Sequence, residues 1–153
     1  MTEPEIDAKA VAENLFAMVP FTGKLNFVVE DVRPGYARIR LPYDAANTNH
    51  VGSMHAGAIF TLLETTAGMA LITALGELGS RLLVTGAKIS YARKVMGAGV
   101  AVADASPALL DQARRDIEQN GKALFTFAAS LLDEQGVKCA ECAFDYRIKP
   151  PSA

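Results

Sequence analysis

The stretch Asn47-Thr-Asn-His-Val-Gly-Ser-Met-His55-Ala-Gly-Ala-Ile-Phe-Thr-Leu-Leu-Glu64-Thr-Thr-Ala-Gly-Met-Ala-Leu-Ile-Thr-Ala-Leu75 decides how the rest of the chain must fold. A polar loop runs straight into a long apolar segment. Ile59, Leu62, Leu63, Thr66, Ala70 and Thr73 recur at three- and four-residue spacing, which predicts a helix over about residues 56–77. Phe60, Ala67, Leu71 and Leu75 occupy its other side, so the helix is apolar nearly all round and other structure must wrap it. Between Ala56 and Gly76 the only ionisable side chain is Glu64. A carboxylate in that setting loses hydration, its pKa rises and its burial is costly, so Glu64 is read as the chemical centre. Three other readings stand beside it. Glu64 could be a structural carboxylate satisfied by a neighbouring strand, or reach solvent along the helix flank. The segment could span a membrane, for which about twenty apolar residues suffice. A charge at mid-span and four threonines weigh against the span.

Upstream of this stretch, Lys24–Val32 and Tyr36–Leu41 alternate in polarity across the turn signal Pro34-Gly35, which predicts a hairpin. Before that, Ile6, Ala10, Val11, Leu15, Met18 and Val19 form a helical stripe over about residues 5–19, stopped by Pro20. Arg38 and Arg40 share one strand face, its wet side. Downstream, Leu82–Val95 is a long strand candidate, Gly97-Ala-Gly99 a turn, and Val100–Ala105 a strand returning antiparallel. Ser106-Pro107 suits a helix start, with the helix ending near Asn120-Gly121. Ala123–Leu132 and Val137–Ile148 make a last hairpin. The whole is one α+β domain over residues 1–153, an antiparallel sheet folded around one long central helix. Such a sheet has two edges, and one is expected to pair with a second copy of the chain.

Composition narrows the function classes. At 153 residues the chain is one domain able to bury a core, and 50% apolar with 21% charged residues is a globular profile. A net charge of −2 gives no reason to expect nucleic acid or an anionic membrane as partner. Met1–Asp7 is acidic, without a basic-then-apolar start, and a cytoplasmic location is expected. Cys139-Ala-Glu-Cys142 has no second pair and sits in a strand pattern, so core or edge thiols are expected, not a metal site. Gly76-Glu-Leu-Gly79 lacks the strand–glycine–helix context of a nucleotide loop and is a turn.

The loop-to-helix junction carries its own chemistry. Backbone N–H groups at Ala56, Gly57 and Ala58 are first-turn donors, and the helix dipole adds positive charge where an acyl oxyanion would form. Glu64, eight residues on, lies roughly 12 Å further along the helix. That is too far to serve one carbonyl from one chain, so a composite site at a dimer interface is expected. His55 has a bland alternative as a helix cap, and Asn49 as a turn former. Arg93 and Lys94, with Lys88, are candidates for binding phosphate, or a solvated strand end.

These residues resemble a known family, the hotdog-fold acyl-CoA thioesterases, particularly the phenylacetate-pathway type. That type carries an asparagine, a histidine six residues later followed by glycines, and an acidic residue nine beyond the histidine; Asn49, His55 and Glu64 keep both spacings and Gly57 one glycine. Ile89-Ser-Tyr91-Ala-Arg93-Lys94-Val95-Met-Gly97 is similar to the family's third strand and following turn. The resemblance implies the hotdog fold over about residues 20–148 and hydrolysis of an acyl-CoA thioester, with Glu64 as general base or nucleophile. It implies that the Ala56 or Gly57 amide holds the oxyanion and that Asn49 and His55 orient the carbonyl or the attacking water. Coenzyme A enters as part of the substrate, with no other cofactor and no metal. The partner expected is a second copy, as a dimer or a dimer of dimers with a shared site. The sequence departs from the type in three places. Its aspartate is glutamate here, as in the hydroxybenzoyl-CoA branch; the His-Gly-Gly triplet is His55-Ala56-Gly57; and the Thr or Ser some relatives place after the acid falls at Gly68. A non-catalytic acyl-CoA-binding module and a hydroxyacyl dehydratase on the same fold are the alternatives.

Overall fold

The structure, a computed structural model, describes residues 6–150. Its centre is helix α2, Ala56–Leu75, in which Leu62, Leu63, Ala67, Ala70 and Leu71 have no solvent exposure. It ends two residues before the expected 77, because Gly76 adopts φ 58° and turns the chain into a 3-10 segment, Gly76–Arg81. Gly79 lies against Ile72 so closely that a Cβ there would come within 2.8 Å of the Ile72 Cα, which is why this turn needs a glycine.

Six strands surround the helix: β1 Val28–Arg33, β2 Tyr36–Leu41, β3 Leu82–Tyr91, β4 Gly99–Asp104, β5 Ala123–Leu132 and β6 Lys138–Ile148. They form one antiparallel sheet in the order β1-β2-β4-β5-β6-β3. Alternation puts Ala37, Ile39 and Leu41 of β2, and Ala140, Cys142, Phe144, Tyr146 and Ile148 of β6, in the buried core. Two hydrogen bonds pin the helix to the first hairpin: Thr73 Oγ1 donates to Arg33 O and Gly35 N to Ala70 O. Helix α1, Ala8–Met18, is capped by Asp7 and lies over β1; Glu5, where the expected helix begins, is outside the described residues. Helix α3, Pro107–Asn120, is capped by Ser106 and closed by Gly121 at φ 72°, as its sequence signals imply.

Three expectations need correction. The first strand begins at Val28, because Pro20 initiates a 3-10 turn, Pro20–Lys24, that takes up Lys24. The strand from Leu82 stops at Tyr91: the amides of Ala92 and Arg93 both turn onto Cys139 O, and Met54 N then claims Val95 O. β4 does run antiparallel to β3, but between β2 and β5, while β3 pairs only with β6 and forms the sheet edge. The small and branched residues of β4 are buried on both faces and suit the sheet centre; Thr85, Lys88 and Ser90 on β3 suit an edge.

The helix is also not wrapped on every side. Gly57, Phe60, Thr61, Glu64, Gly68 and Ile72, one stripe at helical spacing, are left partly or fully uncovered by their own sheet. By length and apolarity α2 with its following turn could cross a membrane, but 61% of its most apolar window is buried inside this domain. It is a core helix.

Candidate active site

The loop before α2 is built from short-range hydrogen bonds that deliver His55 to the helix start. Asn49 Oδ1 accepts from Val51 N at 3.0 Å and Ser53 N at 3.1 Å, and its Nδ2 donates to Ser53 Oγ at 2.8 Å. Both polar ends of Asn49 therefore work for the loop, with one Nδ2 hydrogen left over. His55 N donates to Asn47 O, which sets the residue in the extended conformation of an N-cap. His55 Nδ1 accepts from Gly57 N at 2.8 Å. In the neutral ring this places the hydrogen on Nε2, leaving that atom as a donor. A Cβ on Gly57 would sit 3.0 Å from the same Nδ1, so the glycine makes room for the capping ring.

The cap changes the oxyanion donors expected at the junction. The Gly57 amide is taken by the imidazole, so of the two candidates Ala56 keeps a free backbone donor. Tyr91 Oη donates to Ala56 O at 3.1 Å, which ties the end of β3 to the first helical residue. This contact was missed at the sequence level; an aromatic closing a strand inside a motif was its only signal.

Glu64 is half-buried on the uncovered stripe of α2. Burial alone pushes its carboxyl above the usual 4.5, with no hydrogen bond or ion pair from the described residues to pull it back. It lines a cavity of about 780 Å³ together with His55, Gly57, Phe60, Phe21 and Leu25. Val19, just before the Pro20–Lys24 turn, and Phe21, within it, supply apolar wall that sequence reading did not assign to the site. Asn49, Ala56, Arg93 and Lys94 line a second, smaller cavity of about 180 Å³ on the other side of the helix start, and Tyr91 borders both. The structure thus groups His55 and Gly57 with Glu64, and Asn49 and Ala56 with the two cations. Lys88 is exposed on β3 and lines neither cavity.

Two of the helix threonines are spent on their own backbone: Thr61 Oγ1 donates to Gly57 O and Thr66 Oγ1 to Leu62 O. Space beside Gly68 is open. Among the described residues no cluster of His, Cys, Asp and Glu could hold a metal ion. Cys139 and Cys142 are free and buried, and burial lifts the Cys142 thiol to about 11, far from a reactive thiolate. Arg38 and Arg40 both bind Glu30 on the outer face, away from the site.

Residues 8–148 match a family described as a domain of unknown function, DUF4442. A Halobacterium salinarum protein named "Putative esterase" is 34% identical over 107 residues, which is 65% of this chain and 70% of that protein. A Pseudomonas aeruginosa structure titled a protein of unknown function, "Probable Thioesterase", superposes with a TM-score of 0.82 at 29% identity, covering 95% of this chain and 97% of that one. The E. coli PaaI protein from the phenylacetic acid degradation operon superposes with a TM-score of 0.69 at 15% identity, covering 95% of each chain, and at that identity the likeness is one of fold.

Proposed function

We propose that this chain, a member of the DUF4442 family with the hotdog fold of the thioesterase structures it resembles, hydrolyses an acyl-CoA thioester to the free acid and coenzyme A. The observation that carries this reading is Glu64: an unpaired, half-buried carboxylate on an apolar cavity beside a capped helix start. The acyl group lies against Phe21, Leu25 and Phe60. The thioester oxygen points at the Ala56 amide and His55 Nε2. Glu64 takes a proton from water while the water oxygen attacks the carbonyl carbon, and the oxyanion forms facing those donors. When the intermediate collapses the C–S bond breaks, and the proton held by Glu64 goes to the departing thiolate. Direct attack by Glu64 through an anhydride is the other form of the same chemistry. A single turnover in ¹⁸O water tests for the second: label in the Glu64 carboxyl reports an anhydride opened by water at the Glu64 carbon, whereas direct attack by water on the thioester labels the product acid alone.

The site is shared between two copies of the chain, Glu64 coming from one and Ala56, His55 and Asn49 from the other. Although His55 and Glu64 of one chain line the same cavity, they stand at opposite ends of two helical turns: Ala56 and Glu64 are roughly 12 Å apart along one helix, further than one carbonyl can bridge. The uncovered stripe of α2 and the exposed β3 edge, where Leu83 is 57% accessible, are the surfaces a second copy would cover. Arg93 and Lys94 take the phosphates of coenzyme A, with Lys88 further along the same edge.

The test is thiol release from a panel of acyl-CoAs, run beside calorimetric binding. Turnover of at least one thioester is expected. Binding without release from any of them would replace the enzyme with a binding module. Loss of water from a 3-hydroxyacyl-CoA without thiol release would replace it with a dehydratase.

A further inference from the structure

Tyr146 carries one of two buried polar side-chain atoms among the described residues that have no hydrogen-bond partner; Thr65 Oγ1 is the other. The phenol is 1% exposed and stands on the core face of β6, two residues from Phe144. Burying a hydroxyl without a partner forfeits its hydration with nothing in return, so an orphan at this depth calls for an acceptor. Its ring is fixed by neighbours: Phe125 lies 5.8 Å away centroid to centroid and Phe144 5.9 Å. Phe60 meets Phe144 edge-on at 5.7 Å. Glu64 is one helical turn beyond Phe60 on the same flank of α2, as Tyr146 is one step beyond Phe144 on the same face of β6. The aromatic ladder therefore brings the orphan phenol level with the unpaired Glu64 carboxylate, near enough for the one charge to bear on the other.

We propose that Tyr146 is a positioning residue for Glu64, its phenol donating to the carboxylate from the sheet side and holding it aimed into the cavity. The proposal extends the reading of Glu64 as the reacting carboxylate, but the pairing itself stands apart from catalysis. The phenol stays protonated, since burial and the neighbouring Glu64 charge push its ionisation up, so it can only donate to a carboxylate. Cys142 on the same face is a poor rival acceptor, because its own thiol is held protonated and directed to Ala143 O. The other titratable groups around Glu64 are Lys24 from the Pro20–Lys24 turn, His55 at the helix start and Tyr91 from β3, all on the cavity side. Asp145 is engaged with Thr126 on the opposite face of the sheet.

A donated hydrogen bond favours the ionised carboxylate, so its removal must raise the Glu64 pKa. The measurement is the titration of the Glu64 side-chain carboxyl by ¹³C NMR in glutamate-labelled protein, assigned by its loss in Glu64→Gln. Tyr146→Phe keeps the ring and its stacking, and should move the midpoint up by about one pH unit. Fluorotyrosine, a stronger donor, should move it down in the otherwise unchanged chain, which covers the case where Tyr146→Phe folds poorly. In turnover assays the acid limb of kcat should move up with Tyr146→Phe while KM holds, which a purely structural role would not produce. An unchanged Glu64 midpoint in both altered proteins overturns the pairing, whatever the enzyme does. An NMR shift in a protein whose Glu64→Gln form stays active would leave the pairing standing and remove Glu64 from the mechanism instead.

Discussion

A carboxylate set into an apolar wall with no cation beside it is held there at a cost, and Glu64 shows that cost in the raised pKa of its side chain. Replacing it by glutamine keeps the shape and removes the charge. Glu64→Gln is expected to lower kcat by about 100-fold or more while acyl-CoA still binds, because loss of a general base or nucleophile costs on that scale. A mutant with a tenth of the wild-type rate would take Glu64 out of the chemistry. Stability should move the other way. Because the folded carboxyl titrates above 4.5, the folded chain binds more protons than the unfolded one between the two pKa values. The charge penalty is therefore absent below about pH 4.5, grows as pH rises through the folded pKa, and is complete above it. Glu64→Gln should accordingly be more stable than wild type at neutral pH, with the difference shrinking on acidification; denaturant midpoints at pH 4 and pH 7.5 measure it. Glu64 was legible in the sequence because it is the only ionisable group in a twenty-residue, largely apolar helix. The partition of roles around it was not. Whether an imidazole takes the Gly57 amide, or Asn49 spends its amide group on Ser53, depends on loop geometry that spacing does not encode.

At the scale of elements, the segment from Ala92 to Ala98 matters most for substrate recognition. It leaves β3 where Ala92 and Arg93 turn their amides onto Cys139 O, and it is tied to the loop before α2 by Met54 N on Val95 O. Those three bonds bring Arg93 and Lys94 beside Asn49 and Ala56. Neither cation forms a salt bridge with a described residue, so their charge is available to a polyanion. Arg93→Ala combined with Lys94→Ala is expected to raise KM for acyl-CoA about tenfold, the range of charge-assisted contacts to phosphate. A short thioester lacking the nucleotide should be hydrolysed as by wild type. Equal losses on both substrates would assign the pair to folding. The helices were legible because their caps and periods are local signals: His55, Ser106, Gly76 and Gly121 stand where helices begin and end. Strand partnership was less so. The Gly97-Ala-Gly99 signal identifies a reversal but not the sheet position reached, and β4 lands three strands from β3 because its buried faces belong under α2.

For the whole molecule, the question is why so apolar a helix leaves one stripe uncovered. The sheet closes over Leu62, Leu63, Ala67 and Ala70, yet Phe60, Glu64, Gly68 and Ile72 stay partly open beside the exposed edge of β3. A two-fold dimer would cover both features at once, setting two such helices antiparallel so that the start of one meets the middle of the other. The His55–Ala56 donors of one copy would then face Glu64 of the next, which removes the 12 Å separation that defeats a single chain. Each dimer would hold two identical sites, each drawing on both chains. Glu64→Ala and His55→Ala are each expected to be inactive alone. Unfolded together and refolded, random pairing makes about half the dimers mixed, and one of the two sites in a mixed dimer draws Glu64 and His55 from intact positions. Roughly a quarter of wild-type activity should therefore return. Native mass spectrometry reports whether mixed dimers have formed. Mixed dimers that remain inactive would place Glu64 and His55 in one site on one chain, and the shared-site reading would be lost.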